Sequence, residues 1–444
     1  MLQPELLSPA GSLKAMRLAF AYGADAVYAG QPRYSLRVRN NEFDLATLAT
    51  GISEAHALGK RFYVVVNIAP HNSKLHRFIQ DMTPVVALKP DALIVSDPGV
   101  VYLLRQHFPQ QALHLSVQAN TVNWAAVRFW QQQGIARVIL SRELAIEEIA
   151  EIRREVPDME LEVFVHGALC MAYSGRCLLS GYINKRDPNQ GTCTNSCRWP
   201  YQVHAADEDE LGQFTPISTP ALIEEPGRPG ELMAIDEDIH GSYILNSKDL
   251  RAVEHVAALA AMGVHSLKIE GRTKSPYYVA RTAQVYRQAI DDAMAGKAFD
   301  QSLLQELNGM ANRGFTEGFL RRHKPQDTQN YDTSHSIGEQ LLVGEFIGEP
   351  DSDGFALLEV KNQFAVGDNL LLMTPKGNHR FQLQALRDKQ NNDIVLAPGA
   401  CYQLKVQLPV HCDVRFAMLL KQLRPAERPG NELAVSVADK LCPL

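Results

Sequence analysis

Residues 5–30 read ELLSPAGSLKAMRLAFAYGADAVYAG. The first three, Glu5–Leu7, read as a short strand that ends in the turn Ser8-Pro9-Ala10-Gly11. Leu13–Tyr22 then carries apolar residues at helical spacing, and Asp25–Ala29 reads as a second strand closed by Gly30. Strand, helix, strand in that order is a βαβ unit, which requires two parallel strands joined by a right-handed crossover.

The same alternation continues downstream. Arg61–Ile68, Asp91–Ser96, Leu113–Gln118, Arg137–Leu140 and Leu161–Val165 are short β-branched or aromatic runs, each followed by a polar or Gly/Pro turn. Amphipathic stretches such as Trp124–Gln133 and Ala145–Arg154 lie between them. Ser266–Ile269 supplies an eighth strand. Tyr243–Leu245 would be a ninth, one too many for a closed barrel, and reads as the return strand of a hairpin with Trp199–Val203. No glycine-rich dinucleotide fingerprint follows the first strand, which disfavours an open doubly wound sheet. The expected fold is therefore α/β: a (β/α)8 TIM-like barrel over 1–275, with residues 199–246 as a hairpin carrying an insert. A helical connector follows over 276–330, with Tyr277, Ala280, Ala283, Tyr286 and Ile290 on one face. From Ser336 the spacing shortens to strands at Gln340–Ile347, Phe355–Val360, Asn369–Met373, Arg380–Leu386 and Gln403–Leu408. These suggest a small C-terminal β-barrel over 331–425, with 426–444 as a flexible tail.

Length and composition agree with this division. A chain of 444 residues exceeds one compact core, and 45% hydrophobic with 21% charged residues is ordinary for a globular protein. The start lacks a basic, apolar leader and no apolar run is long enough to span a bilayer, so a cytoplasmic protein without a membrane partner is expected. The net charge of −6 argues against a generally basic nucleic-acid binder. However, ten acids and a single base, Arg228, fall between His204 and His240, which leaves the remainder of the chain net positive.

Four of the seven cysteines, Cys170, Cys177, Cys193 and Cys197, fall within 28 residues at a spacing of C-x6-C-x15-C-x3-C. Four thiolates suit a 4Fe-4S cluster, one per iron. Structural zinc also takes four, but usually from tighter knuckles, so the spacing leans toward the cluster and leaves zinc open. Cys170 lies just past the seventh strand, at the barrel end where such folds collect their chemistry. Arg176, Lys185, Arg186 and Arg198 surround the group and would favour thiolates. His166, four residues earlier, is a ligand or acid/base candidate, although a buried, hydrogen-bonded histidine is the commoner use of such a position. Cys401, Cys412 and Cys442 look incidental.

The stretch Glu162-Val-Phe-Val-His-Gly-Ala-Leu-Cys170, with Ser174-Gly-Arg-Cys177, resembles the signature of the collagenase-like "unassigned peptidase" family. The openings at Glu5 and Ala24, and the later Ser247-Lys-Asp-Leu250 and Ser266-Leu-Lys-Ile-Glu-Gly-Arg272, look like the same family. Arg33-Tyr-Ser-Leu-Arg-Val-Arg-Asn-Asn41 and the run from Gly181 to Gly191 are similar to its bacterial tRNA-hydroxylating branch. The likeness runs from Pro4 to about residue 420 and is weakest in the acidic insert.

The resemblance implies that the four cysteines hold a 4Fe-4S cluster. It also implies oxygen-independent C5-hydroxylation of the wobble uridine of tRNA to 5-hydroxyuridine, with prephenate as hydroxyl source. The partners would be tRNA, prephenate and the iron–sulfur assembly machinery. Relatives act on ribosomal RNA or quinone precursors, so family alone does not fix the substrate.

Prephenate carries two carboxylates, which arginine forks bind well. Arg33, Arg37 and Arg39 follow the second strand, Arg142 the sixth, and Arg272 with Lys274 the eighth; any two of these would serve as a clamp. Glu270, at the end of the eighth strand, joins His166 as a catalytic candidate. An unstacked anticodon base needs aromatic and phosphate contacts. Tyr34, Tyr173, Tyr182 and Trp199, with Lys185 and Arg186, are the tRNA-contact candidates, and Arg321–Lys324 is a weaker basic run. A peptidase is the first rival, but neither H-E-x-x-H nor G-x-S-x-G occurs. A zinc-bound RNA adaptor and a quinone-ring hydroxylase are the others.

Overall fold

The computed structural model describes residues 2–36, 42–170, 172–174, 176–177, 179–180, 187–190, 205–208, 214–217, 222–224, 232–234, 237–238, 241–242, 247–321, 338–400, 402–409 and 413–423. Eight parallel strands close into a barrel. They are Glu5–Pro9, Ala26–Gly30, Arg61–Val66, Ala92–Val95, Leu113–Leu115, Arg137–Ile139, Glu160–Ala168 and Ser266–Ile269. The last strand pairs with both the first (Leu6 opposite Leu267) and the seventh (Ser266 opposite Glu162), which closes the ring. Most of these strands are buried along their whole length, because helices cover the outside and side chains fill the inside.

Polar caps fix where the helices start. Ser12 Oγ accepts from the Ala15 N–H, Asp97 from Val100 and Asn123 from Ala126. Asp97 and Ser275 also precede a proline at the first helical position. The long helix Pro276–Met294 buries Tyr277, Ala280, Ala283, Tyr286 and Ile290, the face expected from the sequence.

Several elements depart from the sequence reading. The connector expected over 276–330 is not helical throughout its described part. A second helix ends at Asn308, and Phe315–Thr316 is a strand. That strand pairs with Asp249–Arg251, which itself runs antiparallel to the end of the seventh barrel strand. Neither strand was anticipated, because two or three residues carry too little periodicity to read. The insert contains three short antiparallel pairs, beginning with Ala205–Glu208 against Phe214–Ile217. Tyr243–Leu245 and Trp199–Val203, the expected hairpin, lie outside the described residues.

Eight of the C-terminal strands form one antiparallel sheet curled into a half-barrel, and Phe364–Ala365 pairs separately with Leu396–Ala397. Met418–Gln422, absent from the sequence reading, lies in the middle of the eight-stranded sheet between Asn369–Thr374 and Gln340–Phe346. The sheet is fastened to the barrel. Tyr22 Oη donates to the carbonyls of Met373 and Phe416, and Leu371, Met373, Met418 and Leu420 belong to the barrel's own hydrophobic core. Among the described residues, no helix is long and apolar enough to cross a membrane.

Candidate active site

The barrel interior carries charge. Glu5 and Glu162 are the buried acids, and Arg137 and Lys268 the buried bases. Arg137 Nη1 lies 2.6 Å from Glu5 and 3.2 Å from Glu162, while Lys268 Nζ lies 2.8 Å from Glu162. Tyr63 and Ser266 donate to Glu5. Every buried charge here has an opposite partner, which burial at this depth requires. The sequence signal was available: charges at alternating positions within the otherwise apolar runs ELEVFV and SLKI share the interior face.

Above this layer, at the C-terminal mouth, a cavity of about 120 Å³ opens. Lys268 forms part of its floor, with Nζ 4.5 Å from the ring centre of Tyr28 and 5.3 Å from that of Phe164. Burial holds the Lys268 ammonium below its ordinary pKa, an effect partly offset by Glu162. Arg142 lies 4.0 Å over the Phe164 ring and donates to the Ala168 carbonyl. Arg272 is 8% exposed, and its guanidinium stands against Gly30, where a β-carbon would collide with it. Tyr28 Oη donates to Glu270 Oε2 at 3.1 Å, and burial raises the tyrosine's pKa. Apolar walls come from Val65, Ile94, Val117 and Ile139.

Cys170 lines the same cavity and is exposed; Cys177 is half-buried. Ser174 lines the cavity beside Cys170, and Asn120 Nδ2 donates to the Ser174 carbonyl while Asn189 Nδ2 donates to the Cys177 carbonyl. Thiols held at a polar rim, rather than packed in the core, suit metal ligation. Cys193 and Cys197 lie outside the described residues. Among the described residues, no group of three His, Cys, Asp or Glu is arranged to hold a metal.

Of the other candidates, His166 is not brought to the mouth. Lys268 faces Phe164, but Ile269 faces His166, so Val165 is an extra residue in the seventh strand. One inserted residue reverses the facing of all that follow. His166 therefore joins the outward side of Ile269, 1% exposed among Tyr278, Tyr286 and Phe315. Burial pushes its pKa down to about 3, against the opposing charge of Asp249. Tyr34 is also corrected: it is fully buried, donates to Asp81 and packs edge-on to Phe78, so it cannot stack on a base. Arg33 pairs with Asp81 beside it, away from the mouth cavity. Lys274 sits 5.4 Å from the Tyr278 ring centre, on the outer side of the eighth strand's turn. Tyr173 is 52% exposed near the cysteines. Arg37, Arg39, Tyr182, Lys185, Arg186 and Trp199 lie outside the described residues.

A family model described as peptidase family U32 matches residues 11–330, and one for the peptidase family U32 C-terminal domain matches 339–420. The chain belongs to peptidase family U32. This U32 chain is 61% identical over 441 residues to tRNA hydroxylation protein P of Escherichia coli, covering 95% of this chain and 97% of that one. It is 59% identical over 444 residues to tRNA hydroxylation protein P of Haemophilus influenzae, covering 95% and 96%. A more distant relative is the 23S rRNA 5-hydroxycytidine C2501 synthase of Escherichia coli, 31% identical over 77% of this chain and 48% of that protein.

Proposed function

We propose that this chain is an RNA-modifying hydroxylase that converts the wobble uridine of tRNA, at position 34, to 5-hydroxyuridine without oxygen, using prephenate. The observation that carries the reading is the convergence of Arg142, Arg272, Glu270 and Cys170 on one cavity, in a chain similar end to end to tRNA hydroxylation proteins. Cys170, Cys177, Cys193 and Cys197 would hold a 4Fe-4S cluster, which when bound supplies electron transfer or Lewis-acid activation at the mouth.

The chain's own groups suit a small dicarboxylate. Arg142 and Arg272 offer guanidinium forks to its carboxylates, and Phe164 with the aliphatic walls packs its ring. Glu270, held by Tyr28, is positioned to accept a proton at the rim. Tyr173 and the basic residues of the cysteine loop would meet the RNA.

Mass spectrometry of tRNA nucleosides tests this reading. A deletion strain should lack 5-hydroxyuridine, the wild-type gene should restore it only when prephenate is available, and Cys170→Ala should restore neither the nucleoside nor the cluster's visible absorbance. Full modification by iron-free protein would overturn the role given to the cluster. The peptidase alternative rests on the family name; degradation of casein or collagen by purified, iron-free protein would revive it.

A further inference from the structure

Gln118 lines the mouth cavity and also a second cavity of about 390 Å³ beside it, between the turns of the third, fourth and fifth strands. The second cavity is bounded by Ser96, Asp97, Trp130, Arg176 and Asn189. Gln118 thus stands at the junction of the two.

The direction of its amide is settled by a backbone group two residues removed from it in space. The Leu36 N–H can only donate, and it donates to Asn67 Oδ1 at 3.2 Å. The Asn67 amide is thereby turned so that Nδ2 donates, to Gln118 Oε1 and to Ser116 Oγ. Ser116 Oγ donates its own hydrogen bond to Gln118 Oε1 at 3.0 Å. The carbonyl of Gln118 therefore accepts two hydrogen bonds from below. Its Nε2 is left as a donor with no partner among the described residues, on a half-buried side chain that faces both cavities. A peptide N–H fixes the relay, so neither amide is free to reverse without stranding a donor against a donor.

We infer that Gln118 is a specificity-determining residue whose locked amide donates a hydrogen bond to an sp2 oxygen of the ligand held at the mouth. Taken with the proposed function, on which this inference rests, the oxygen belongs either to a carboxylate of prephenate or to a carbonyl of the uracil. Asn67 and Ser116 are positioning residues that act through Gln118.

Gln118→Glu is the decisive variant. The carboxylate is isosteric and still accepts from Asn67 and Ser116, so only the outward atom changes, from donor to acceptor. Prephenate and a tRNA anticodon stem-loop are titrated separately into the purified, cluster-loaded protein by calorimetry, and turnover is measured afterwards. Gln118→Glu should raise Kd for one of the two by about 10- to 100-fold, the loss expected of a hydrogen bond to a polar or charged acceptor replaced by a clash of lone pairs. Which Kd rises identifies the oxygen.

Asn67→Asp keeps the acceptor for Leu36 but removes the donors, and should raise the same Kd by a smaller factor; a merely structural asparagine would lower the melting temperature and leave that Kd unmoved. If Gln118→Glu binds both ligands within about twofold of wild type, the inference is overturned, whatever turnover shows. If wild type binds either ligand but never hydroxylates, the proposed activity falls and Gln118 is judged on the Kd values alone. Wild-type protein that binds neither ligand defeats both.

Discussion

Lys268 Nζ lies 2.8 Å from Glu162 Oε1 inside the barrel, with both side chains almost sealed from water. The same carboxylate is 3.2 Å from Arg137 Nη1, so one acid serves two buried bases. Glu162→Gln leaves both cations short of charge in a low-dielectric interior. It should destabilise the protein by about 3–5 kcal/mol, read as a fall in the urea midpoint. Lys268→Met places an apolar chain of similar length between Tyr28 and Phe164 and leaves Glu162 paired with Arg137. It should cost the fold clearly less than Glu162→Gln while weakening binding of a dicarboxylate at the mouth. A lysine variant less stable than the glutamine variant would contradict this ordering.

Gly30 and Arg272 are in a similar dependence. No side chain fits at Gly30 without moving the arginine or Ser35. The backbone there is ordinary strand, so Gly30→Ala strains no dihedral and acts through the displaced guanidinium and the neighbouring Ser35 side chain. Hydroxylation should fall by roughly 10- to 100-fold, the scale of a misplaced binding group, with the melting temperature little changed. Gly30→Ala with full activity would show that Arg272 is not needed where it stands.

These two relationships also mark how far the sequence could be read. Ser266–Ile269 was legible to the residue, because a short apolar run between turns has few other uses. Arg142, Arg272, Glu270 and Cys170 were legible as a group because a parallel barrel brings all its strand ends to one rim. What could not be read depends on contacts between distant segments. The extra residue at Val165 shows only against its partner strand, so the position of His166 four residues before Cys170 could not reveal that its side chain turns away from the mouth. Tyr34 follows a strand, as a mouth residue should, yet its ring is claimed by Phe78, at the start of a helix that lies beyond the third strand. Met418–Gln422 is a central strand whose partners are more than 40 residues away in sequence.

Buried neutral His166 makes a pH dependence calculable in sign. Its pKa is about 3 in the folded chain, against an ordinary value of 6.5. Between these values the unfolded chain binds a proton that the folded chain does not, so stability is full above pH 6.5 and falls as the pH drops. The loss approaches about 1.4 kcal/mol per pH unit. His166→Gln, which does not titrate, should flatten that part of the stability curve between pH 4 and 6. An unchanged slope in the variant would assign the acid sensitivity to carboxylates elsewhere.

The aromatic residues offered to RNA separate cleanly by burial. Tyr34 is enclosed, its hydroxyl on Asp81 and its ring on Phe78, whereas Tyr173 is half exposed beside the cysteines. Tyr34→Ala should therefore cost about 3–5 kcal/mol of stability, as loss of a buried aromatic does, and weaken tRNA binding only as far as it loosens the turn after the second strand. Tyr173→Ala should leave stability within about 0.5 kcal/mol and weaken binding of an anticodon stem-loop by about 1–3 kcal/mol, the worth of one stacked base. Titration of the two variants with the same stem-loop, beside their urea midpoints, distinguishes the roles. Equal loss of RNA affinity in both, or none in Tyr173→Ala, would remove Tyr173 from the RNA-binding surface.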